Sequence, residues 1–169
     1  MFGERTYDEA SIAELWGNVL QRLGYRVEEG PEIETDHAYV DACCMWMIKN
    51  PEWFDVIVTT NLFGDIISDL CAGLVGGLGL APGANIGENA AIFEAVNGSA
   101  PDIAGRRIAN PCALLLAGAQ MLTHLGMNGR ADRLRAAITA TIAAGDRTTP
   151  DLGGDGNTDA FADAIISRC

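Results

Sequence analysis

Residues 61–82 constrain this chain more than any other stretch. Asn61-Leu-Phe-Gly-Asp65-Ile-Ile-Ser-Asp69 sets two carboxylates four residues apart among apolar side chains. That spacing predicts a helix over about 62–74, with Asp65 and Asp69 on one face and Asn61 as its cap. Like charges so placed cost an isolated helix roughly 0.2–0.5 kcal/mol. A positive species between them would remove that cost, and paired carboxylates suit a hard divalent cation. The plainer alternative makes Asp65 a partner of the positive helix N-terminus and Asp69 a solvated surface charge. Directly afterwards Gly76-Gly-Leu-Gly-Leu-Ala-Pro82 must turn the chain sharply away.

The pattern elsewhere alternates helix and strand. Ile12, Leu15, Trp16, Val19, Leu20 and Leu23 follow helical spacing over residues 8–24, and a strand is expected around Val27 and Ile33. Residues 38–49 are apolar nearly all round, which predicts a helix buried on more than one side. Phe54 to Thr59, β-branched and bounded by Pro51 and Asn61, reads as a buried strand. Residues 76–90 read as loop and turn, Ala91 to Val96 as a strand, and Asn97 to Ala109 as a loop. Pro111 opens a helix that Gly126 stops, Ala131 to Ala144 forms another that Gly145 ends, and Asp159 to Ser167 forms a last one. This is an α/β pattern with a helical C-terminal half, and a single domain over residues 1–169 is expected.

Composition narrows the partners. Eleven basic against 23 acidic side chains, a net charge of −12, argue against nucleic acid. The longest apolar stretch, Cys112 to Leu122, is too short to cross a bilayer, and residues 1–10 do not resemble a signal peptide. Five cysteines without CxxC spacing read as reduced, buried thiols of a cytoplasmic protein. His37 and His124 read as packing or surface residues, and Arg130, Arg133 and Arg135 as the solvated face of a helix.

The 61–69 helix and the glycine turn together resemble the signature of the β-decarboxylating dehydrogenases, the isocitrate, 3-isopropylmalate and homoisocitrate dehydrogenase family. Tyr39-Val-Asp-Ala42 is similar to that family's Val-Asp-Ala motif. The resemblance implies that Asp41, contributed by a neighbouring subunit, joins Asp65 and Asp69 around Mg²⁺ or Mn²⁺. Phe93-Glu-Ala-Val-Asn97-Gly-Ser-Ala-Pro-Asp102-Ile-Ala-Gly105 resembles the family's adenosine-binding loop. It implies an NAD site built from Asn97, Gly98, Ser99, Ala100, Asp102 and Ile103, with Asn110 reaching the adenine. An acidic Asp102 suits ribose hydroxyls and repels a 2′-phosphate, so NAD is implied over NADP. Two positions depart from the family pattern. Asn97 replaces a histidine, and Ala95 replaces a proline that would stiffen the loop.

The implied fold is α/β and helix-rich, a truncated isopropylmalate-dehydrogenase-like fold without a Rossmann fingerprint. The implied activity is NAD- and Mg²⁺/Mn²⁺-dependent oxidative decarboxylation of a small malate-type 2-hydroxy acid. The resemblance starts near Ala13 and covers only the C-terminal half of a typical member. Where the family places its catalytic lysine, this chain reads Arg5-Thr-Tyr-Asp-Glu-Ala10, and its only lysine is Lys49. No catalytic residue is therefore assigned. A homodimer is expected, with a separately encoded N-terminal half as a further partner; Thr149 to Gly154 and Thr158 are expected to be structural. The alternative is a non-catalytic homologue that binds adenosine nucleotides or serves as a scaffold.

Overall fold

The computed structural model describes residues 36–145 and 147–169. The helix expected over 8–24 and the strand around Val27 and Ile33 lie outside the described residues. Contacts divide the chain into two compact units, Met1–Ala38 and Tyr39–Cys169, and the second is described below.

That unit runs α1 (Val40–Lys49), α2 (Asn61–Leu74), β1 (Pro82–Ile86), β2 (Ala91–Ala95), α3 (Cys112–His124), α4 (Asn128–Ala144) and α5 (Thr158–Ile166). Single 3-10 turns at Pro51–Trp53, Leu78–Leu80, Pro101–Ile103 and Pro150–Leu152 connect them. The strands form an antiparallel hairpin in the register Pro82↔Ala95 to Ile86↔Ala91. It lies on α3, α3 packs on α4, α4 on α5, and α1 on α2.

The core gathers Cys112, Ala137, Ile138, Phe161 and Ile165 from the last three helices, flanked by Leu80, Leu115, Leu116, Leu134, Ile142 and Leu152. Ala113, Ala117, Ala119 and Ala131 are also buried, and side chains this small let α3 and α4 approach closely.

Glycine sets two helix ends. After α2, Gly76 takes φ 113°, Gly77 N–H donates to Ala72 O at 2.7 Å and Gly76 N–H to Gly73 O at 3.4 Å. After α3, Gly126 takes φ 75°, Met127 N–H donates to Leu122 O at 2.8 Å and Gly126 N–H to Thr123 O at 3.0 Å. Both are the paired closure that a left-handed residue just past a helix allows.

Four expectations need correction. Residues 82–86 form a strand rather than loop: Pro-Gly-Ala-Asn-Ile has little strand propensity of its own, and the ladder with β2 decides the matter. Phe54 to Thr59 forms no strand and Val56 is 61% exposed, because among the described residues no neighbour pairs with it. Helix α1 is not buried on several sides; only Cys43 is buried, while Met45 and Ile48 face outward. Asn61 is the first helical residue rather than the cap, and Thr60, in the cap position, makes no side-chain capping bond.

Smaller differences follow the same logic. Helix α4 begins at Asn128, a turn early, and Arg135 donates from it to Thr123 Oγ1 on α3 at 2.9 Å. His124 closes α3 and rests against Phe93, ring centroids 5.6 Å apart. All five cysteines are free, with Cys43 and Cys112 buried and Cys169 exposed. Among the described residues no helix is long and apolar enough to cross a membrane.

Candidate functional site

Two surfaces carry the residues singled out above. The first is on α2. Asp65 and Asp69 are both exposed, and one helical turn separates them by a rise of about 6 Å. Among the described residues neither forms an ion pair. The Ser68 hydroxyl between them donates back to Asp65 O at 3.1 Å, so it adds no donor facing the carboxylates. Helical geometry places Leu62 and Ile66 beside this acidic edge, and they are 65% and 46% exposed. Asp41 lies in the first turn of α1, where its Oδ1 accepts from Ala42 N–H at 2.8 Å. Within one chain the structure does not bring it to the other two, for among the described residues no three His, Cys, Asp or Glu side chains are placed to hold a metal. Asp65 and Asp69 nonetheless fit Mg²⁺ or Mn²⁺ in donor chemistry, two hard carboxylates reaching solvent side by side.

The second surface is the loop from Asn97 to Asn110. Asn97, Gly98, Ser99, Ala100 and Asp102 are exposed, and Ile103 is half-buried. Ala100 adopts the left-handed conformation, φ 40° and ψ 61°, which an alanine enters only at a cost of order 1–3 kcal/mol. There its carbonyl accepts from Ile103 N–H at 3.1 Å, so the chain folds into the Pro101–Ile103 turn with the Asp102 carboxylate in solvent. Asn97 Nδ2 donates to the neighbouring Gly98 O at 3.4 Å.

The far end of this loop is anchored. Thr158 N–H donates to Arg107 O at 2.8 Å, and the Thr158 hydroxyl donates to Ala109 O at 2.6 Å. Arg107, itself left-handed at φ 56°, pairs its guanidinium with Asp159. That pair is exposed on both sides, so the Thr158 bonds matter more to the anchoring. Asn110 is held twice: its Oδ1 accepts from Cys112 N–H at 2.9 Å, and its Nδ2 donates to Asp151 Oδ2 at 2.9 Å. Gly79 closes over the same contact, since a Cβ there would stand 3.0 Å from Asn110 Cβ and 3.1 Å from Asp151 Oδ2. Burial, and secondarily the nearby Asp151 charge, push the Cys112 thiol up to about 11. It therefore stays a neutral core group rather than a nucleophile.

Sequence reading assigned Thr149 to Gly154 and Thr158 to structure alone. The structure shows what they hold, namely the end of the loop, through Asp151 and Thr158. Asp151 is 41 residues from Asn110 and Thr158 is 49 from Ala109, so no local pattern could have announced either bond. Lys49, the only lysine, has its ammonium 5.2 Å from the Trp46 ring centroid and stands in neither surface.

The chain matches the family model described as isocitrate/isopropylmalate dehydrogenase over residues 9–165. It is 58% identical over 142 residues to isocitrate dehydrogenase [NAD] catalytic subunit 5, mitochondrial, of Arabidopsis thaliana, covering 83% of this chain and 38% of that one. It is 55% identical over 150 residues to the isocitrate/homoisocitrate dehydrogenase of Thermus thermophilus, covering 89% and 45%. The crystal structure of isocitrate dehydrogenase from Methylococcus capsulatus superposes with a TM-score of 0.80 at 51% identity, over 94% of this chain and 45% of that one. The chain thus spans less than half the length of each of these relatives. Over that span, and in a helix-rich fold shared with its relatives, this chain belongs to the isocitrate/isopropylmalate dehydrogenase family.

Proposed function

We propose that this chain is the nucleotide- and cation-binding part of a cytoplasmic enzyme for NAD-dependent oxidative decarboxylation of a malate-type 2-hydroxy acid, of the isocitrate or 3-isopropylmalate kind. The carrying observation is the loop of residues 97–110, pinned at its far end by Thr158 and Asp151 while Asn97 to Asp102 stay open to solvent. A surface segment held this firmly at one end and left free at the other suits a ligand that the free part embraces. The names of the relatives, which include NAD and both acids, support the class.

When bound, a divalent cation would polarise the carbonyl that forms from the substrate hydroxyl, and NAD would take the hydride. The chain's own part is binding and orientation. Asp65 and Asp69 offer hard oxygen donors for the cation, and the partner subunit's Asp41 completes the carboxylate set. Asp102 accepts from ribose hydroxyls and disfavours a 2′-phosphate, and Asn110 faces the adenine. Exposed Met45 and Ile48 on α1, with Leu62, Ile66 and Leu74 on α2, form an apolar face suited to a homodimer. Proton transfer falls to groups that neither surface supplies.

A second reading, a non-catalytic nucleotide-binding or scaffolding homologue, draws support from the only lysine being placed over Trp46, away from both surfaces. One experiment separates them. NADH formation is followed with isocitrate, 3-isopropylmalate, tartrate and malate, with and without Mn²⁺, for the chain alone and with any co-purifying chain. Mn²⁺-dependent turnover of one acid supports the enzyme. Calorimetric NAD binding without turnover supports the second reading, and NADP binding as tight as NAD contradicts the role given to Asp102.

A further inference from the structure

Three sulfur-bearing side chains gather where α1 packs on α2. Cys43 and Met47 are four residues apart on α1, so both side chains lie on one face of that helix. From α2, the Cys71 thiol reaches Met47 Sδ at 4.0 Å. The Cys43 thiol is in the same neighbourhood: burial first, then the charges of Cys44 and Cys71, push it up. Cys43 is buried while Met47 and Cys71 are half-buried, so the cluster is shielded without being sealed. Packing alone would be served as well by alanine and leucine, and a thiol–thioether contact is only a weak hydrogen bond.

What sulfur adds is a soft donor. Thiolates and thioethers select soft cations such as Cu(I), whereas carboxylates suit hard Mg²⁺ and Mn²⁺. Zn²⁺ also takes thiolates, but its structural sites have four ligands. Among the described residues no three His, Cys, Asp or Glu side chains are placed to hold a metal. Two thiolates and one thioether therefore fit a three-coordinate Cu(I) better than Zn²⁺. Sulfurs held about 2.3 Å from one cation in a trigonal set stand roughly 4 Å apart. Cys71 and Met47 already have that separation.

We infer that Cys43, Met47 and Cys71 form a binding site for a soft monovalent cation, Cu(I), at the contact of α1 with α2. Binding transfers one proton from each thiol to solvent and moves no electron. Cys44 follows Cys43 directly but is turned about 100° round the helix, so it stands outside the set. The site is independent of the roles given to Asp65, Asp69 and residues 97–110.

The test is an oxygen-free titration of the 169-residue chain against Cu(I) held by a chromophoric chelator, alongside melting curves. The unsubstituted chain should withdraw one equivalent of Cu(I) and melt at a higher temperature once loaded. Cys71→Ser should weaken binding by on the order of tenfold or more, because a hydroxyl is a hard donor. Met47→Leu keeps the side-chain volume and both thiols, and it should weaken binding as well. Thiols that take up copper without a built site would not register that change. Cys44→Ser and Cys169→Ser should leave the affinity as it was. X-ray absorption of the loaded chain should show sulfur ligands only. A chain that withdraws no Cu(I) overturns the inference. So does an unchanged affinity in Cys71→Ser or Met47→Leu, or nitrogen or oxygen in the coordination shell. Should Cys43→Ser fold poorly because Cys43 is buried, the variants at half-buried Cys71 and Met47 still decide.

Discussion

Residues 110–166 and residues 40–75 are built from similar material and end differently. The later segment buries Cys112, Ala137, Ile138, Phe161 and Ile165 among three helices of its own chain. The earlier one buries only Cys43, Ile67 and Ala72 in its two helices and leaves Met45, Ile48, Leu62, Phe63, Ile66 and Leu74 exposed. Since both are rich in apolar residues, hydrophobicity alone does not distinguish a core from an unfilled surface. The number of elements that converge does, for a helix pair has one shared face and each helix keeps another that no further element among the described residues covers.

The largest effect expected of this contrast is in the core. Phe161 is fully buried, and Phe161→Ala should cost about 3–5 kcal/mol of stability, read from chemical denaturation. Ile66→Ala should cost far less in the isolated chain, because Ile66 is 46% exposed. Equal losses at the two sites would mean that the α1–α2 pair is as well packed as the C-terminal helices, and the contrast would collapse.

Association comes next. If the apolar face of α1 and α2 is where two copies meet, Leu62→Lys with Ile66→Lys should convert a dimer to a monomer in light scattering at micromolar concentration. The same charges should scarcely alter the α3–α5 core. A monomer already present without substitution would sink both the dimer and the shared carboxylate set.

The carboxylate edge gives a third test on the same face. Mn²⁺ at about one hundred times its dissociation constant should stabilise the protein by roughly 2.7 kcal/mol. Asp65→Asn with Asp69→Asn should remove that gain while leaving the metal-free melting temperature unchanged or slightly raised, because a like-charge pair has gone. A response to Mn²⁺ that survives in the double variant would place the cation elsewhere.

How much of this was legible beforehand differs between the two regions for a physical reason. The helices announced themselves wherever local signals were strong: Gly126 and Gly145 at the ends of α3 and α4, and the apolar spacing of α2. The 82–86 strand did not, because its five residues owe their conformation to Ile92, Phe93 and Glu94 across the hairpin rather than to themselves. The expected strand at 54–59 failed for the mirror-image reason: its residues suit a strand, but among the described residues no neighbour supplies a ladder. In the nucleotide loop the motif marked which residues matter, whereas the bonds from Thr158 and Asp151 that anchor it cross 41 to 51 residues. Burial of α1 was over-read because an apolar sequence says that a face wants cover, not that its own chain provides it.

Thiol chemistry sharpens the comparison by smaller amounts. Cys112, fully buried in the core, has its thiol pushed up to about 11, chiefly by burial. In the unfolded chain it ionises near 9, so its contribution to stability is complete below pH 9 and is lost as pH rises toward 11. Cys112→Ala should flatten the fall in melting temperature across that window. Exposed Cys169 and half-buried Cys71 should react with a disulfide reagent in the native protein, and Cys112 only on unfolding. Early labelling of Cys112 would mean that the core opens as readily as the face.

The smallest expected effect separates the two regions at their helix starts. Asn157 caps α5 with a real bond, its Oδ1 accepting from Ala160 N–H at 2.9 Å. Thr60 occupies the same position at the start of α2 and makes no such bond. Asn157→Ala should therefore cost about 1 kcal/mol, the usual loss when a capping oxygen disappears. Thr60→Ala removes no capping bond, so its cost should stay within about 0.5 kcal/mol. Both changes leave a helix N-terminus with an alanine at the cap, so the difference isolates the bond rather than the side chain's propensity. The Asn157 cap also fixes the turn from which Thr158 reaches Arg107 O and Ala109 O, so a frayed α5 should loosen the end of the nucleotide loop. Amide exchange at Thr158 should then accelerate in Asn157→Ala and remain unchanged in Thr60→Ala. Equal exchange in the two variants would show that the Thr158 anchor holds independently of the cap.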